Sequence, residues 1–394
     1  MPRFFRVFFV SLAVAVAFLA GIYFGGHYYR LSLFIDALPQ TVQNFFFPGN
    51  NTLQLEREIE NILEEGFYQP VDSSTLENGA LKGMVSSVND PYTTYFNPDD
   101  FRMFNEHSSG QFTGIGVLME QKDGQLRVVQ VFDSSPAQEA GIQAGDVIAA
   151  VDGQAVAGKS QEETSALLRG PSGSTVTLTV QRGAQQLDFT MTRREIDLPI
   201  VTDSMIQRNG KNIGYIRLEQ FATDSGVKVK ASLDKLVGQG AQGIILDLRN
   251  NGGGLLSESV TVGSAFIQNG PIVSVVGRDG QTETFEAQGN ANETVPLVVL
   301  VNGNTASASE IVAGAIKDDA RGKLIGEKTF GKGVVQNIVP LSNGGGLKFT
   351  SGSYYTPSGT DINKVGIEPD IPVTVDPAST VDQVRERGLA ELAP

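Results

Sequence analysis

A serine-rich turn leads into an apolar helix start at residues 302–314, which read NGNTASASEIVAG. Small side chains around Ser307 would clear space for a nucleophile, and a helix N-terminus offers the free N–H groups that a developing oxyanion needs. The same letters fit a purely structural interpretation. Ser307 and Glu310 match the S-x-x-E capping box, so Ser307 is alternatively only the N-cap of the helix.

A nucleophilic serine needs a base, and histidine is a poor candidate here. The chain has only two histidines, His27 beside an apolar N-terminal run and His107 in a polar stretch without a nucleophile-like motif. It has no cysteine, which excludes thiolate nucleophiles, disulfides and cysteine-ligated zinc. We therefore expect a base other than histidine and no metal site built on histidine or cysteine ligands. A serine activated by a side-chain base requires neither a metal nor a cofactor.

Lys332 is the strongest alternative base. It lies between two glycines in GEKTFGKGVVQNIVP, residues 326–340, ahead of a strand-like run on which Val334 and Gln336 would share its face. Burial lowers the pKa of a lysine from about 10.4, so that its neutral amine can activate a serine, and Gln336 could orient it. Four residues of ideal strand span about 13 Å, so this arrangement requires a bulge at Gly333 or the reach of two long side chains. The alternative is a solvated turn lysine.

A third stretch, ILDLRNNGGGLL at residues 245–256, runs from an apolar strand into three glycines. Ligands of open α/β sheets bind beyond the carboxyl ends of the strands, and glycine lets the backbone approach a ligand closely. We expect the N–H of Gly252 or Gly253 to contact an oxyanion or a substrate strand. The alternative is a loop that only connects a strand to a helix.

The surrounding elements change character along the chain. Residues 53–84 have helical periodicity, and residues 111–195 contain short β-like runs broken by turns, as in a small antiparallel module. From about residue 200, the apolar runs GIILDL and PLVVLV alternate with helical stretches. Such runs indicate a parallel or mixed sheet that is buried on both faces.

The N-terminus predicts export. Arg3 and Arg6 precede an uncharged run, Val7 to Gly26, which is long enough to span a bilayer with the body outside the cytoplasm. Its length favours an uncleaved anchor; the rival interpretation is a signal peptide cleaved after Ala17. The net charge of −14 argues against nucleic acid as the main partner.

Taken together, these stretches resemble the carboxyl-terminal processing, or tail-specific, serine proteases. The resemblance runs from Leu53 to about Val375 through segments in the family's order: NDPYTTYF, SSPAQEAGIQAGDVIAAVDGQAV, DLRNNGGG, TASASEIVAGAIKD, EKTFGKGVVQ and GSYYTPSGTDINKVGIEPDIPV. It departs from the family at Thr305 (usually serine), Gly252 (often proline) and Thr360 (commonly arginine). The last change could alter substrate contact at the edge of the site.

The resemblance implies roles for particular residues. Ser307 would be the nucleophile, Lys332 the general base and acid, and Gln336 the group that positions Lys332. The oxyanion would bind the N–H of Ala308 and that of Gly252 or Gly253, and Asp318 would have a structural role. In a PDZ domain, the loop Gly114, Ile115 and Gly116 would capture the terminal carboxylate of an apolar tail, and Arg169 would couple tail binding to the protease.

The implied fold class is α/β (an α+β multidomain chain) with a ClpP/crotonase-like protease core, an inserted PDZ domain and an N-terminal helical segment. The expected divisions are residues 1–30 (anchor), 31–52 (linker), 53–104 (helical part of the protease), 105–195 (PDZ domain), 196–376 (catalytic core) and 377–394 (tail). Partners would be protein substrates and the membrane, with a homodimer and an activator lipoprotein left open. The competing functions are a PDZ adaptor on an inactive scaffold and a hydrolase of non-peptide substrates.

Overall fold

The computed structural model of the protein describes residues 51–122, 124–376 and 378–394. The predicted anchor and most of the predicted linker, within residues 1–50, lie outside the described residues. The chain divides into two units, Met1–Gly83 and Met84–Pro394.

Two helices form the described start of the chain, where the periodicity predicts helix. Helix α1 spans Asn51–Gly66 and helix α2 spans Ser73–Ser86. Along the apolar stripe that the periodicity predicts for α1, the side chains of Leu55, Ile59 and Ile62 are exposed and that of Leu63 is half-buried. Over the described parts of the chain, every helix is too short or too polar to cross a membrane.

Strand β1 (Thr94–Phe96) and helix α3 (Pro98–Ser109) lead into a small β-rich module. Strands β2 (Gln111–Gly114) and β9 (Arg194–Asp197) pair antiparallel where the chain enters and leaves it. Between them lie β3 (Val117–Lys122), β4 (Gln125–Val131), α4 (Pro136–Ala140), β5 (Val147–Val151), β6 (Gln154–Ala155), α5 (Gln161–Leu168), β7 (Thr175–Arg182) and β8 (Gln185–Thr192).

The module's sheet is antiparallel throughout, in the order β3-β4-β5-β7-β8 with β6 on β5. Its strands alternate as a half-buried sheet requires: Val176, Leu178 and Val180 of β7 enter the core beside Val128 and Ile148. The module therefore has a hydrophobic core of its own.

The remaining chain builds an α/β core. Its elements are β10 (Val201–Arg208), β11 (Lys211–Leu218), α6 (Ser225–Gly238), β12 (Gly243–Asp247), α7 (Leu256–Ser264), β13 (Pro271–Gly277), β14 (Thr282–Glu286), β15 (Leu297–Val301), α8 (Ala308–Asp318), β16 (Lys323–Gly326), β17 (Val334–Pro340), β18 (Gly346–Tyr355), β19 (Ile371–Pro372) and α9 (Gln383–Leu392). The mixed α/β class matches the expectation.

The main sheet has the order β10-β11-β12-β15-β16-β19, with β10 antiparallel to β11 and the other pairs parallel. On β12, Ile244 and Leu246 pack with helices α6, α7 and α8, whereas Ile245 packs on the opposite face with Leu389 of α9. Burial on both faces explains why this strand is apolar throughout. Helix α9, which lies within the expected tail, thus packs on the core.

A second, antiparallel sheet has the order β1-β18-β13-β14, with β17 also paired to β18. The carboxyl end of β12 leads into the glycine loop (residues 248–255), and that of β15 leads into the Ser307 turn (residues 302–307). These two loops are joined directly, because the Ala306 N–H donates to the Asn251 carbonyl at 3.1 Å.

Candidate active site

A cleft of about 500 Å³ gathers residues that the sequence places far apart. Its lining includes all six residues expected at the reaction centre: Gly252, Gly253, Ser307, Ala308, Lys332 and Gln336. They come from the glycine loop, the start of α8 and the chain at the start of β17. The lining also includes Phe104 and His107 of α3 and Lys348 of β18.

Ser307 adopts a backbone conformation that side chains rarely take, with φ 57° and ψ −119°. The residue directly precedes α8, so the Ala308 N–H at the first helical position has no acceptor within the helix. Ser309 Oγ donates to the Asn251 carbonyl at 2.9 Å, and Thr305 Oγ1 donates to the Leu248 carbonyl at 3.0 Å. These hydrogen bonds fix both sides of Ser307 to the glycine loop and leave its own side chain half-buried in the cleft.

Glu310 joins the Ser307 turn to the Lys332 loop. Its fully buried carboxylate accepts from the N–H groups of Ser307 (2.9 Å), Gly331 (2.8 Å) and Lys332 (2.9 Å), and from Thr329 Oγ1 (2.6 Å). Hydrogen bonds to an ionised carboxylate are stronger than those between neutral groups. The half of the predicted capping box that uses Glu310 is thus present, and the same side chain also reaches the second loop.

Lys332 is half-buried, and burial, helped by the nearby positive charge of Lys348, lowers the pKa of its amine below the usual value. Its ammonium lies over the Tyr92 ring, with Nζ 4.6 Å from the ring centroid. Within the described residues, Nζ makes no hydrogen bond to Ser307 Oγ. The structure thus brings the two predicted residues into one cleft without joining their reactive atoms.

Gln336 does not contact the Lys332 amine in this structure. Its Nε2 donates to the Val334 carbonyl at 3.2 Å and approaches Thr350 Oγ1 at 3.5 Å. The strand geometry explains this, because the register of β17 against β18 shifts between Val335 and Gln336. The spacing requires a bulge at Gly333 or the reach of two long side chains; the irregularity in the pairing lies instead between Val335 and Gln336.

The two glycines proposed for the oxyanion differ. Gly253 has φ 99°, and a Cβ built on it would lie 2.8 Å from the Ala306 carbonyl oxygen, so it abuts the Ser307 turn. Its N–H donates to Asn251 Oδ1 at 2.9 Å. Nothing lies within 4 Å of a Cβ on Gly252.

The expected peptide-binding residues line a separate groove of about 280 Å³, among them Gly114, Ile115, Gly116 and Arg169. Gly116 has φ 81°, and a Cβ there would meet the Ser135 side chain at 2.2 Å, so only glycine suits the loop. Within the described residues, the Arg169 guanidinium makes no hydrogen bond or ion pair. The buried Arg193 instead donates to the carbonyls of Leu167, Leu168 and Thr175.

Sequence reasoning missed two further contributors. The Tyr354 hydroxyl lies within hydrogen-bonding distance of the carbonyl oxygens of Ser307 (3.1 Å) and Lys332, and burial raises its pKa well above the usual value. The turn that contains Asp90 and Tyr92 lies against Lys332. Both belong to segments that carry the family resemblance, GSYYTPSG and NDPYTTYF, but nothing in their spacing assigns them to the cleft.

Comparisons with known families match three segments of the chain. Residues 212–373 match peptidase family S41, residues 113–192 match the PDZ domain, and residues 41–100 match the N-terminal domain of the activating protease CtpB.

Individual relatives are similar over most of the chain. The carboxyl-terminal-processing protease of Synechocystis sp. is 40% identical over 296 residues, which cover 74% of this chain and 69% of the relative. The carboxy-terminal processing protease CtpA of Bacillus subtilis is 35% identical over 374 residues, 94% of this chain and 78% of the relative. A solved structure from Bacteroides fragilis, described as a candidate S41 protease, has a similar fold, with a TM-score of 0.54, 19% identity and coverage of 85% of this chain and 97% of the other.

Proposed function

The chain belongs to peptidase family S41 as a serine-type peptidase of the carboxyl-terminal processing kind with a PDZ domain, and from this premise we propose that Ser307 and Lys332 form its catalytic dyad. The observation that carries the proposal is the Glu310 carboxylate, which binds the backbone N–H groups of both residues and holds them at one cleft. A buried lysine with a lowered pKa has the property that a general base requires.

The proposed reaction is acyl transfer. Ser307 Oγ attacks the carbonyl carbon of the scissile peptide while its proton passes to the neutral amine of Lys332. The C–N bond then breaks, the leaving amine takes the proton from Lys332, and an ester joins the acyl group to Ser307. Water attacks the ester and gives a proton to Lys332, which returns it to Ser307 Oγ as the acid product leaves.

The negative oxygen of the tetrahedral intermediate would bind the Ala308 N–H and the N–H of Gly252 or Gly253. Gly253 lies against Ser307 but already donates to Asn251, so it would have to share or exchange that hydrogen bond. Gln336 is proposed to position Lys332 after its amide turns away from the Val334 carbonyl.

We propose that the PDZ domain selects substrates by their apolar C-terminal tails. The loop of Gly114, Ile115 and Gly116 would bind the terminal carboxylate, and a tail would add as a strand along β3. The groove's apolar lining, which includes Val117, Met119 and Leu168, favours such tails. Arg169 at the end of α5 is proposed to transmit tail binding to the protease.

We also propose that the enzyme acts outside the cytoplasm as an endopeptidase, held by its N-terminal segment or released after cleavage of that segment. The basic residues ahead of Val7 to Gly26 support export. The proposed divisions are residues 105–195 for the PDZ domain and 196–376 for the catalytic core. A second copy of the chain, in a homodimer, and an activator lipoprotein are further proposed partners. Native mass measurement after extraction from the membrane would detect either of them.

The test uses the full chain and an unfolded protein that bears an apolar tail. Ser307→Ala and Lys332→Ala should each lower kcat/KM by at least about 10³-fold, because each removes a member of the dyad. Both variants should still bind the tail peptide. The matched controls Ser257→Ala and Lys328→Ala change exposed residues and should keep wild-type activity. Near-full activity of Lys332→Ala would show that another group is the base.

A further inference from the structure

We propose that the turn Asp90–Thr93 binds the Lys332 ammonium in the inactive enzyme, and we call this turn the parking site. Its Tyr92 ring holds the charged side chain away from Ser307 and thereby sets the pH at which the enzyme becomes active. The inference rests on the proposed roles of Ser307 and Lys332. It makes Tyr92 a positioning residue for the reaction.

The first support is the position of the amine. Lys332 Nζ lies 4.6 Å from the centroid of the Tyr92 ring, within the range in which the negative face of an aromatic ring attracts a cation. Ser307 Oγ has no hydrogen bond with that amine in the part of the chain that the structure describes. The ring therefore stabilises a cation that cannot accept a proton from serine.

The second support is the rigidity of the turn. Asp90 accepts hydrogen bonds from Thr350 Oγ1 (2.6 Å), Thr93 Oγ1 (2.5 Å) and the Tyr92 N–H (3.3 Å). Burial alone would raise the pKa of Asp90, but these hydrogen bonds bring it below the usual value, so the carboxylate stays charged. Thr350 pairs with Gln336 across β17 and β18, so the turn is tied to the strands beside Lys332.

The charged and titratable groups around Lys332 act in opposite directions. Burial and Lys348 favour the neutral amine, whereas Asp90 and Glu310 favour the ammonium. The charged and titratable groups on the neighbouring elements and the cleft walls are Asp90, Tyr92, His107, Glu219, Glu310, Lys348 and Tyr354. Like these charges, the Tyr92 ring acts on the cation, because a neutral amine is not attracted to the ring face in this way.

Loss of the proton therefore has two effects together. The amine becomes able to accept a proton, and its attraction to Tyr92 disappears, so the side chain is free to turn toward Ser307 Oγ. Because the ring stabilises only the charged form, it raises the pKa of Lys332 relative to a site without the ring. Removing the ring should lower that pKa and activate the enzyme at lower pH.

The experiment is a pH profile of kcat/KM for the full chain with the tailed, unfolded substrate. Tyr92→Leu should move the acidic limb down by about 0.5 to 1 pH unit. Tyr92→Phe keeps a ring face and should keep the wild-type limb. A purely structural role would lower the plateau of Tyr92→Leu without moving its limb, and that result would overturn the proposal, as would an equal shift in Tyr92→Phe.

A second variant tests the proposal if Tyr92→Leu does not fold. Asp90→Asn removes the carboxylate charge at nearly constant shape and should also move the limb downward; an unmoved limb in a folded Asp90→Asn would reject the parking site. Lys332→Ala is run in parallel. If Lys332→Ala is inactive and the acidic limb of the turn variants does not move, only the parking site is rejected. If Lys332→Ala is active, the proposed dyad itself is rejected.

Discussion

At Ser307 the backbone is held in a conformation that costs roughly 1–3 kcal/mol for a residue with a side chain. Such strain persists only where neighbouring contacts over-determine it. Here they do, since the Ser307 N–H donates to Glu310 and its carbonyl accepts from the Glu310 N–H at 2.8 Å. The strain coincides with the residue proposed as the nucleophile.

The sequence was sufficient to name six of the residues that line the cleft but not their contacts. Ser307 and Lys332 lie in short local patterns of small residues that leave a structural alternative open, and the family resemblance of those patterns assigns their roles. The second role of Glu310 could not be predicted, because its hydrogen bond to the Lys332 N–H joins two loops that only the folded chain brings together. The direction of Gln336 depends on a bulge whose position the letters VVQN do not fix.

Replacing Glu310 with glutamine should lower both the stability of the protein and its activity. The glutamine amide has one acceptor oxygen, and its NH₂ group would replace the second carboxylate oxygen. That NH₂ group would face two N–H or O–H donors that bind the carboxylate in the wild type. We expect the free energy of unfolding to fall by roughly 2–5 kcal/mol and kcat/KM to fall by at least about 10-fold. Denaturant unfolding and steady-state kinetics measure the two effects.

Glu327→Gln is the matched control, because Glu327 is exposed in the loop before Lys332. It should leave both quantities near wild type. Wild-type stability in Glu310→Gln would contradict the role of Glu310 as the link between the two loops.

At the scale of elements, the site depends on the carboxyl ends of β12 and β15 lying side by side. Their apolar runs predict strands of a parallel or mixed sheet that is buried on both faces. The parallel pairing of β12 with β15 then places the glycine loop beside the Ser307 turn. The antiparallel sheet contributes Lys348, Thr350 and Tyr354 from β18. That contribution could not be predicted, because β18 has no catalytic pattern and its pairing with β1 is long-range.

The contact between the glycine loop and the Ser307 turn can be tested by adding one methyl group. Gly253→Ala should lower the free energy of unfolding by about 1–3 kcal/mol, because alanine is strained at φ 99° and its Cβ would overlap the Ala306 carbonyl. Gly252→Ala is the control, since a Cβ there meets nothing within 4 Å. Thermal or denaturant unfolding compares them, and equal stability of the two variants would contradict the described packing.

At the scale of the molecule, helix α3 lies between the peptide groove and the catalytic cleft. Met103 and Glu106 line the groove, Phe104 lines the cleft, and His107 lines both. His107, which the sequence places in a polar stretch without a nucleophile-like motif, is exposed, belongs to α3 and borders both sites. The polar residues of a short helix do not indicate which surfaces the helix will separate. The position of α3 between the two sites is therefore visible only in the folded structure.

The most direct test of the central claim is the rate at which a small fluorophosphonate labels Ser307 in the full chain. If Lys332 activates Ser307, Lys332→Met should lower that rate by at least about 10²-fold, while the exposed control Lys328→Met labels at the wild-type rate. Peptide mapping by mass spectrometry identifies the labelled serine. Labelling of Lys332→Met at the wild-type rate, or labelling of the wild type at a serine other than Ser307, would contradict the account.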